Sequence, residues 1–260
     1  MFADTAVLVE RNLLTVKRIP TLLLSATVQP LMLVVLFAYV FGATLGGAPY
    51  REFLMAGSFA QTVVFNAAFT TVGLAGDMSG GIVDRLRSLP MSRIGVIAAR
   101  VGSDMLLGAL GLAVMVASGL AIGWRIRGSV TDAVIAFAVI ALFALAMAWV
   151  GAVSGLAAPN VEVAQSIGFL WMFPVTFLSS AFISAQSLPG PLRAIAEWNP
   201  VTAVATMARE KFGNTAPSSF PQPTGWVADH ALEYSIGASV VILAVCVPVS
   251  LLLYRRSTSR

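Results

Sequence analysis

The chain carries few of the side chains that catalysis or metal binding requires. Cys246 and His230 are its only cysteine and histidine, so no internal disulfide and no histidine–cysteine metal site can form. Its only lysines, Lys17 and Lys211, do not follow a Gly-x-x-x-x-Gly-Lys-Ser/Thr loop, and HExxH and GxSxG are absent. The sequence therefore predicts no catalytic residue, no metal site and no ATP site in this chain.

Charged residues are also scarce within the long apolar runs. Proton- or sodium-coupled carriers keep such groups near the membrane midplane, where each costs at least about 2.5–3.5 kcal/mol. Asp104 is the nearest candidate, and Arg100 precedes it by four residues, which predicts a local ion pair at the rim of the membrane. Energy for any transport would then have to come from a partner protein.

The polar segment 77–93 holds the strongest local pattern. Val83, Leu86 and Leu89 recur at three-residue spacing, Pro90 ends the pattern, and charged residues lie between the apolar ones: Asp84, Arg85 and Arg87. One interpretation is a short amphipathic helix, 84–93, that inserts into a groove on a partner protein. The other is an ordinary charged loop that sets membrane topology. The residues alone leave both interpretations open.

The composition indicates that lipid is the solvent of this chain. Hydrophobic residues make up 58% of its 260 residues and charged residues 11%, whereas soluble domains carry roughly 25% charged residues. A spanning helix needs about 20 apolar residues, so six spans occupy nearly the whole chain. We predict an all-α integral membrane protein with a single domain, 1–260, and spans at 21–41, 53–75, 96–122, 133–157, 163–184 and 236–253.

Two further segments are predicted outside these spans. Residues 3–19 have apolar residues at helical spacing, which predicts an amphipathic helix in the membrane interface with a charged side: Glu10, Arg11, Lys17 and Arg18. Residues 185–234 are too polar to span and too apolar for an ordinary loop. Within them, 188–212 is predicted to form two short re-entrant helices that dip into the outer leaflet.

The distribution of basic residues predicts the orientation. With six spans both termini share one side, and that side holds ten of the 16 lysines and arginines: Arg11, Lys17, Arg18, Arg85, Arg87, Arg93, Arg100, Arg255, Arg256 and Arg260. Short cytoplasmic loops carry the excess of positive charge. The termini and the 77–93 segment are therefore predicted to be cytoplasmic, and the 185–234 region to face outward.

Two stretches of sequence resemble a known family. Gly81–Arg93, which reads G-I-V-D-R-L-R-S-L-P-M-S-R, resembles the cytoplasmic loop of type-2 ABC exporter permeases. It looks closest to the daunorubicin/doxorubicin-resistance exporter permease branch of actinobacteria. Leu188-Pro189, Trp198-Asn199-Pro200 and Arg209 are similar to the outward helical hairpin of that family. The order of the predicted elements agrees as well, so the resemblance covers essentially the whole chain.

The resemblance implies a permease subunit in a bacterial cell membrane, with a role in efflux and antibiotic resistance. Residues 84–93 would be a coupling helix that docks into a separate ATPase through Val83, Asp84, Arg85, Leu86, Arg87, Leu89 and Pro90. The 3–19 helix would also touch that ATPase. Two ATPase copies would bind ATP and magnesium, and the pathway would form between two permease copies, identical or paralogous. Trp198, Asn199 and Pro200 would belong to the outer hairpin.

The resemblance also implies that spans 1, 2 and 5 face the second permease copy. Those spans supply the predicted substrate pathway: Phe37, Phe41, Gln61, Phe65, Asn66, Phe69, Trp171 and Phe173. An aromatic cleft with little charge suits a drug or a lipid-like substrate. For each ring, packing within the bundle or against lipid remains the alternative.

Two other functions compete with an ATP-driven exporter permease. One is a secondary carrier or channel, which the lack of a visible internal repeat disfavours. The other is a membrane scaffold without transport. The net charge of +4 is modest and does not indicate nucleic-acid binding. Two small-residue pairs, Gly119/Gly123 and Gly151/Gly155, would allow close approach of helices.

Overall fold

The computed structural model describes residues 28, 31–32, 34–41, 47–80, 93–214 and 220–256. Throughout this part of the chain the ordered elements are helical and no strand occurs. A π-helical segment, Leu36–Phe41, comes first, followed by α1 Ala48–Ser79, α2 Arg93–Ala121, α3 Val130–Ala157 and α4 Val161–Phe177. A 3₁₀ turn, Ala185–Ser187, precedes α5 Gly190–Glu197, α6 Pro200–Phe212, α7 Trp226–Asp229 and α8 Ala231–Arg256.

Four of the described helices, α1, α2, α3 and α8, are long and apolar enough to cross a membrane. The fifth apolar helix, α4, has 17 residues and spans only about 25 Å at 1.5 Å per residue. The hydrocarbon core is about 30 Å thick, so a fifth span would need residues that follow α4 as well. Ten of the 21 residues of the predicted first span, 21–41, lie outside the described residues.

The helix ends refine the predicted spans. The second span, predicted at 53–75, is the longer helix α1, which begins at Ala48 and ends at Ser79. The third and fourth, predicted at 96–122 and 133–157, shift by at most three residues at either end in α2 and α3. The last, predicted at 236–253, begins at Ala231 and continues to Arg256. The predicted hairpin, 188–212, contains the two helices α5 and α6.

The end of the fifth span was predicted wrongly. The sequence pattern extended it to Ser184, but α4 stops at Phe177 and residues 178–184 are not helical. Residues 178–184 are apolar enough that the sequence pattern includes them in the spanning helix. Its backbone groups are instead bonded by side chains from α1 and the hairpin, which removes the need for helical hydrogen bonds.

The helix α1 lies at the centre of the bundle and packs against α2, α3, α4 and α6. Small residues permit the closest of these contacts. A Cβ at Gly151 would lie 3.1 Å from Thr70 Cβ, and one at Gly155 would lie 3.2 Å from Leu74 Cβ, so this pair brings α3 onto α1. The other predicted pair, Gly119/Gly123, does not lie on one helix face. Gly123 comes after the end of α2 and adopts a φ of +98°, which favours glycine.

The end of the bundle near the start of α1 is closed by the connection between α2 and α3. The Trp124 indole donates a 2.7 Å hydrogen bond to Asn214 Oδ1, and the Arg127 backbone amide donates a 2.8 Å bond to Phe212 O. Lys211 Nζ donates to Asp132 at 2.8 Å, and this bond raises the pKa of the lysine. These bonds fix the end of α6 against the start of α3, which positions the hairpin.

Candidate functional site

The predicted contacts to an ATPase lie outside the described residues. This applies to the interface helix, 3–19, with Glu10, Arg11, Lys17 and Arg18. It applies equally to the segment that was predicted to couple to the ATPase, with Val83, Asp84, Arg85, Leu86, Arg87, Leu89 and Pro90. The side chains of Phe37 and Phe41 are also outside the described part, so their place in the predicted pathway stays a prediction.

An aromatic face runs along one side of α4 and continues onto α1. Phe169, Phe173 and Phe177 are four residues apart, and their ring centroids are 5.7 Å apart at each step. Phe65 of α1 meets Phe173 edge-on at 6.3 Å. The three α4 rings are 43–50% exposed, so this face is not covered by the described chain. It offers an uncharged surface with room for an apolar partner or ligand.

The other predicted pathway residues do not all join this face. Phe69 lies one turn beyond Phe65 and is exposed, as a neighbour on the same side would be. Asn66 instead lines a cavity between α1, α2 and α3. The eight predicted residues therefore belong to more than one surface, because one step along a helix turns a side chain by about 100°.

Two of the predicted pathway residues have a buried donor with no hydrogen-bond partner among the described residues. The Gln61 Nε2 and Trp171 Nε1 atoms are buried and make no hydrogen bond to any described residue. A buried donor normally finds a protein or water partner, since leaving it unpaired costs about 1–3 kcal/mol. Both residues therefore need an acceptor from outside the described chain segments.

Asn199 connects the hairpin to the end of α4. Its Nδ2 donates 2.7 Å hydrogen bonds to Val175 O and Leu178 O, which are free because the helix ends there. Its Oδ1 accepts from Val201 N and so caps α6, while Pro200 occupies the first helical position, where no amide hydrogen is required. Asn199 thus bonds carbonyls at the end of α4 and caps the first turn of α6.

Arg209 holds the non-helical segment 178–184 against α1. It is only 7% exposed, and its guanidinium donates to Phe53 O at 3.1 Å, Ser180 O at 2.6 Å and Ala181 O at 3.2 Å. Its carbon lies 3.5 Å from the centre of the Phe53 ring, a cation–π contact. Burial lowers the pKa of Arg209, but a guanidinium stays protonated at neutral pH.

Two further side chains complete this network, and sequence reasoning missed both. Tyr50 donates from its hydroxyl to Phe182 O at 3.3 Å, and Thr202 Oγ1 accepts from Ser180 N at 2.9 Å. Tyr50 precedes the predicted second span, 53–75, and Thr202 carries no distinctive pattern. The one available signal was Arg209 itself, a charged residue that directly follows the uncharged stretch 198–208.

Trp198 points away from this network. It is 57% exposed, stacks on Trp226 at 6.3 Å and accepts a 2.6 Å hydrogen bond at its carbonyl from the Tyr234 hydroxyl. Tryptophan and tyrosine concentrate at membrane–water interfaces, where the ring meets lipid and the polar atom meets water. A cluster of this kind, here near the start of α8, is typical of such an interface.

The predicted Arg100–Asp104 pair is present, and a third residue joins it. Arg100 Nε donates to Asp104 Oδ2 at 3.0 Å, and its Nη1 donates to Asp77 Oδ2 at 3.2 Å. The Arg100 guanidinium packs directly on Gly73. A side chain at this position would collide with it, because a Cβ there would lie 2.9 Å from Arg100 Nη1. This cluster lies near the end of α1, far along the helix from the hairpin.

Comparison with known proteins identifies the family of the chain. Residues 4–212 match the ABC-2 type transporter family, which is most of the chain. The chain is also 29% identical over 251 residues to the daunorubicin resistance ABC transporter permease protein DrrB1 of Streptomyces coeruleorubidus, covering 96% of this chain and 85% of that protein. The resemblance seen in the sequence is thereby confirmed: the chain belongs to the ABC-2 type transporter family.

Proposed function

We propose that this chain is the membrane-spanning permease subunit of an ATP-driven exporter in a bacterial cell membrane. The observation that carries the proposal is the family match over residues 4–212, together with four described helices able to cross a membrane. The chain itself is not an enzyme in this proposal. A separate ATPase, present in two copies, binds ATP and magnesium and supplies the energy.

The substrate class proposed is a hydrophobic or amphipathic molecule, either a drug or a lipid-like compound. The aromatic face on α1 and α4 supports this class, because its exposed rings carry no charge. A second permease copy, identical or paralogous, would cover the face and form the pathway with it. The donors of Gln61 and Trp171, which find no partner among the described residues, would then gain acceptors from that copy, from water or from the substrate.

We also propose six spans with both termini in the cytoplasm. At the start of α1, Phe53 O accepts a hydrogen bond from Arg209 of the hairpin, and Tyr50 donates to Phe182 O just before the hairpin. The other end of α1 carries Asp77 and leads into the 81–92 segment. The hairpin thus lies at one end of α1, and the predicted coupling segment follows the other end. This separation supports a cytoplasmic coupling helix, 84–93, and an outer re-entrant hairpin, 188–212.

Loss of ATPase binding tests the coupling assignment. We expect Leu86→Asp and Leu89→Asp to abolish co-purification of the partner ATPase, because each places a charge on the apolar stripe. Ser88→Asp is the matched control, since it adds the same charge beside that stripe. Membrane insertion of all three variants should equal that of the unaltered chain.

Two outcomes would contradict this proposal. If both leucine variants retain as much ATPase as the control, residues 84–93 are not the coupling helix. If the unaltered chain binds no ATPase, the alternatives are a secondary carrier or channel, or a membrane scaffold. Substrate-stimulated ATP hydrolysis by the purified complex then distinguishes an active pump from a complex without transport.

A further inference from the structure

A polar contact joins α1 to α2 near the two helix ends that the 81–92 segment connects. Arg100 Nη1 donates to Asp77 Oδ2 at 3.2 Å, and Arg100 Nε donates to Asp104 Oδ2 at 3.0 Å. Asp104 belongs to α2, like Arg100 itself, whereas Asp77 belongs to the last turn of α1. Of these two bonds, only the one to Asp77 crosses from one helix to the other.

The Arg100 guanidinium is held in a defined position between the helices. It packs on Gly73, one turn before Asp77, and the bond to Asp104 orients it from α2. The side chains of Arg100 and Asp77 are 24% and 22% exposed, so water has limited access to the bond between them. A planar guanidinium fixes the direction of its hydrogen bonds, whereas apolar packing is non-directional. The bond to Asp77 therefore sets how this end of α1 lies against α2.

Farther along the two helices the packing between them is looser. A cavity of about 70 Å³ lies between α1, α2 and α3, and its lining includes Asn66 of α1 and Gly108 of α2. Beyond it, the Thr62 hydroxyl of α1 contacts Met115 Sδ of α2 at 2.8 Å. Most of α2 is not buried, in contrast to α1. Since empty space supplies no packing contacts, the position of the first turns of α2 depends strongly on the contacts that Arg100 makes.

We propose that Arg100 is a positioning residue for the segment that docks into the ATPase. Its bond to Asp77 fixes the end of α1 relative to the start of α2, and residues 81–92 connect these two ends. Fixing both ends of a connecting segment reduces the conformational freedom that the segment loses on binding, which strengthens binding. This inference deepens the proposed function and rests on it, since it requires an ATPase that binds residues 84–93.

The test measures the dissociation constant between the purified full chain in nanodiscs and the ATPase that co-purifies with it, together with the Tm of each variant. Asp77→Ala removes the acceptor on α1, and Gly73→Ala keeps every charge but displaces the guanidinium. We expect both variants to weaken ATPase binding by about ten-fold. Their Tm should change little, because a partly exposed ion pair contributes little to stability. Asp77→Glu retains the carboxylate and should restore most of the affinity.

Ser79→Ala is the matched control, because it removes a polar group from the same turn of α1 whose hydrogen bond, to Gly76 O, stays within that helix. It should bind the ATPase as the unaltered chain does. If Asp77→Ala and Gly73→Ala also bind as tightly as the control, Arg100 has no positioning role. Equal weakening in Ser79→Ala would overturn the inference as well, since any change at this helix end would then suffice.

The variants also separate this inference from the proposed function. Should Asp77→Ala fail to fold, Gly73→Ala decides by the same comparison with Ser79→Ala. If the unaltered chain binds no ATPase, the proposed function fails and the inference fails with it. If the unaltered chain binds the ATPase and both variants bind it equally well, only the role of Arg100 is refuted.

Discussion

The close contact between Gly57 and the non-helical segment 178–184 makes Gly57→Ala a sharp perturbation. A Cβ at this position would lie 2.6 Å from Ala181 C and 2.7 Å from Ala181 Cα, and closer still to the carbonyl oxygen. Carbon atoms pack at about 3.5–4.0 Å, so the segment would have to retreat by about 1 Å. Backbone on both sides of the contact prevents a small side-chain adjustment from relieving it.

The retreat breaks hydrogen bonds that hold the segment. Arg209 donates to Ala181 O at 3.2 Å, and Tyr50 donates to Phe182 O at 3.3 Å, so both bonds exceed hydrogen-bonding distance after such a shift. A bond from a charged donor contributes about 1.5–3 kcal/mol and a neutral one about 0.5–1.5 kcal/mol. We therefore expect Gly57→Ala to lower the free energy of unfolding by about 2–4 kcal/mol.

Thermal unfolding of the purified protein, followed by tryptophan fluorescence, measures this effect. For a chain of this size each kcal/mol corresponds to about 2–4 °C, so Tm should fall by about 5–15 °C. Gly237→Ala is the control, because nothing lies within 4 Å of a Cβ there and alanine favours helix over glycine. If Gly57→Ala melts within a degree of the unaltered protein, the close packing of this segment on α1 is refuted.

Two further predictions concern the hairpin and the topology. The fall in Tm should be several-fold larger for Asn199→Ala than for Asn160→Ala. Both changes remove a helix cap worth about 1 kcal/mol. Only Asn199 also donates two 2.7 Å hydrogen bonds to carbonyls at the end of α4. Equal losses in thermal unfolding would show that those carbonyl bonds contribute nothing. In a Cys246→Ala background, a cysteine introduced by Ser218→Cys should react with a membrane-impermeant maleimide in intact cells. Labelling only after the membrane is disrupted would reverse the proposed orientation.

The helices α1, α2, α3 and α8 could be predicted from the sequence because each is a long apolar run that hydrogen-bonds within itself. In lipid, a helix is the only conformation that satisfies the backbone of a single segment, so composition and length decide its existence. Their ends were predicted less well, since α1 and α8 extend past the predicted spans to include further buried residues: Tyr50, Ala231 and Tyr254.

The Arg100–Asp104 pair was also predictable, because residues four apart on a helix are neighbours. Asp77 was not, since it comes from another helix, 23 residues earlier. The predicted substrate pathway shows the same difference. Phe65 and Phe173 do meet, but Asn66 lines a separate cavity. The orientation of α1 among its neighbours decides that Asn66 lies inside the bundle and that Phe65 lies on the aromatic face.

The sequence by itself determined the membrane setting, the helical class and the family of this protein, since these follow from local composition and short motifs. Only the tertiary structure decided that α4 stops at Phe177. The carbonyls and amides beyond it are bonded by Tyr50, Asn199, Thr202 and Arg209, which lie at least 20 residues away from them along the chain. Hydropathy reports what a segment can bury, but the bonding of its backbone depends on which distant side chains reach it.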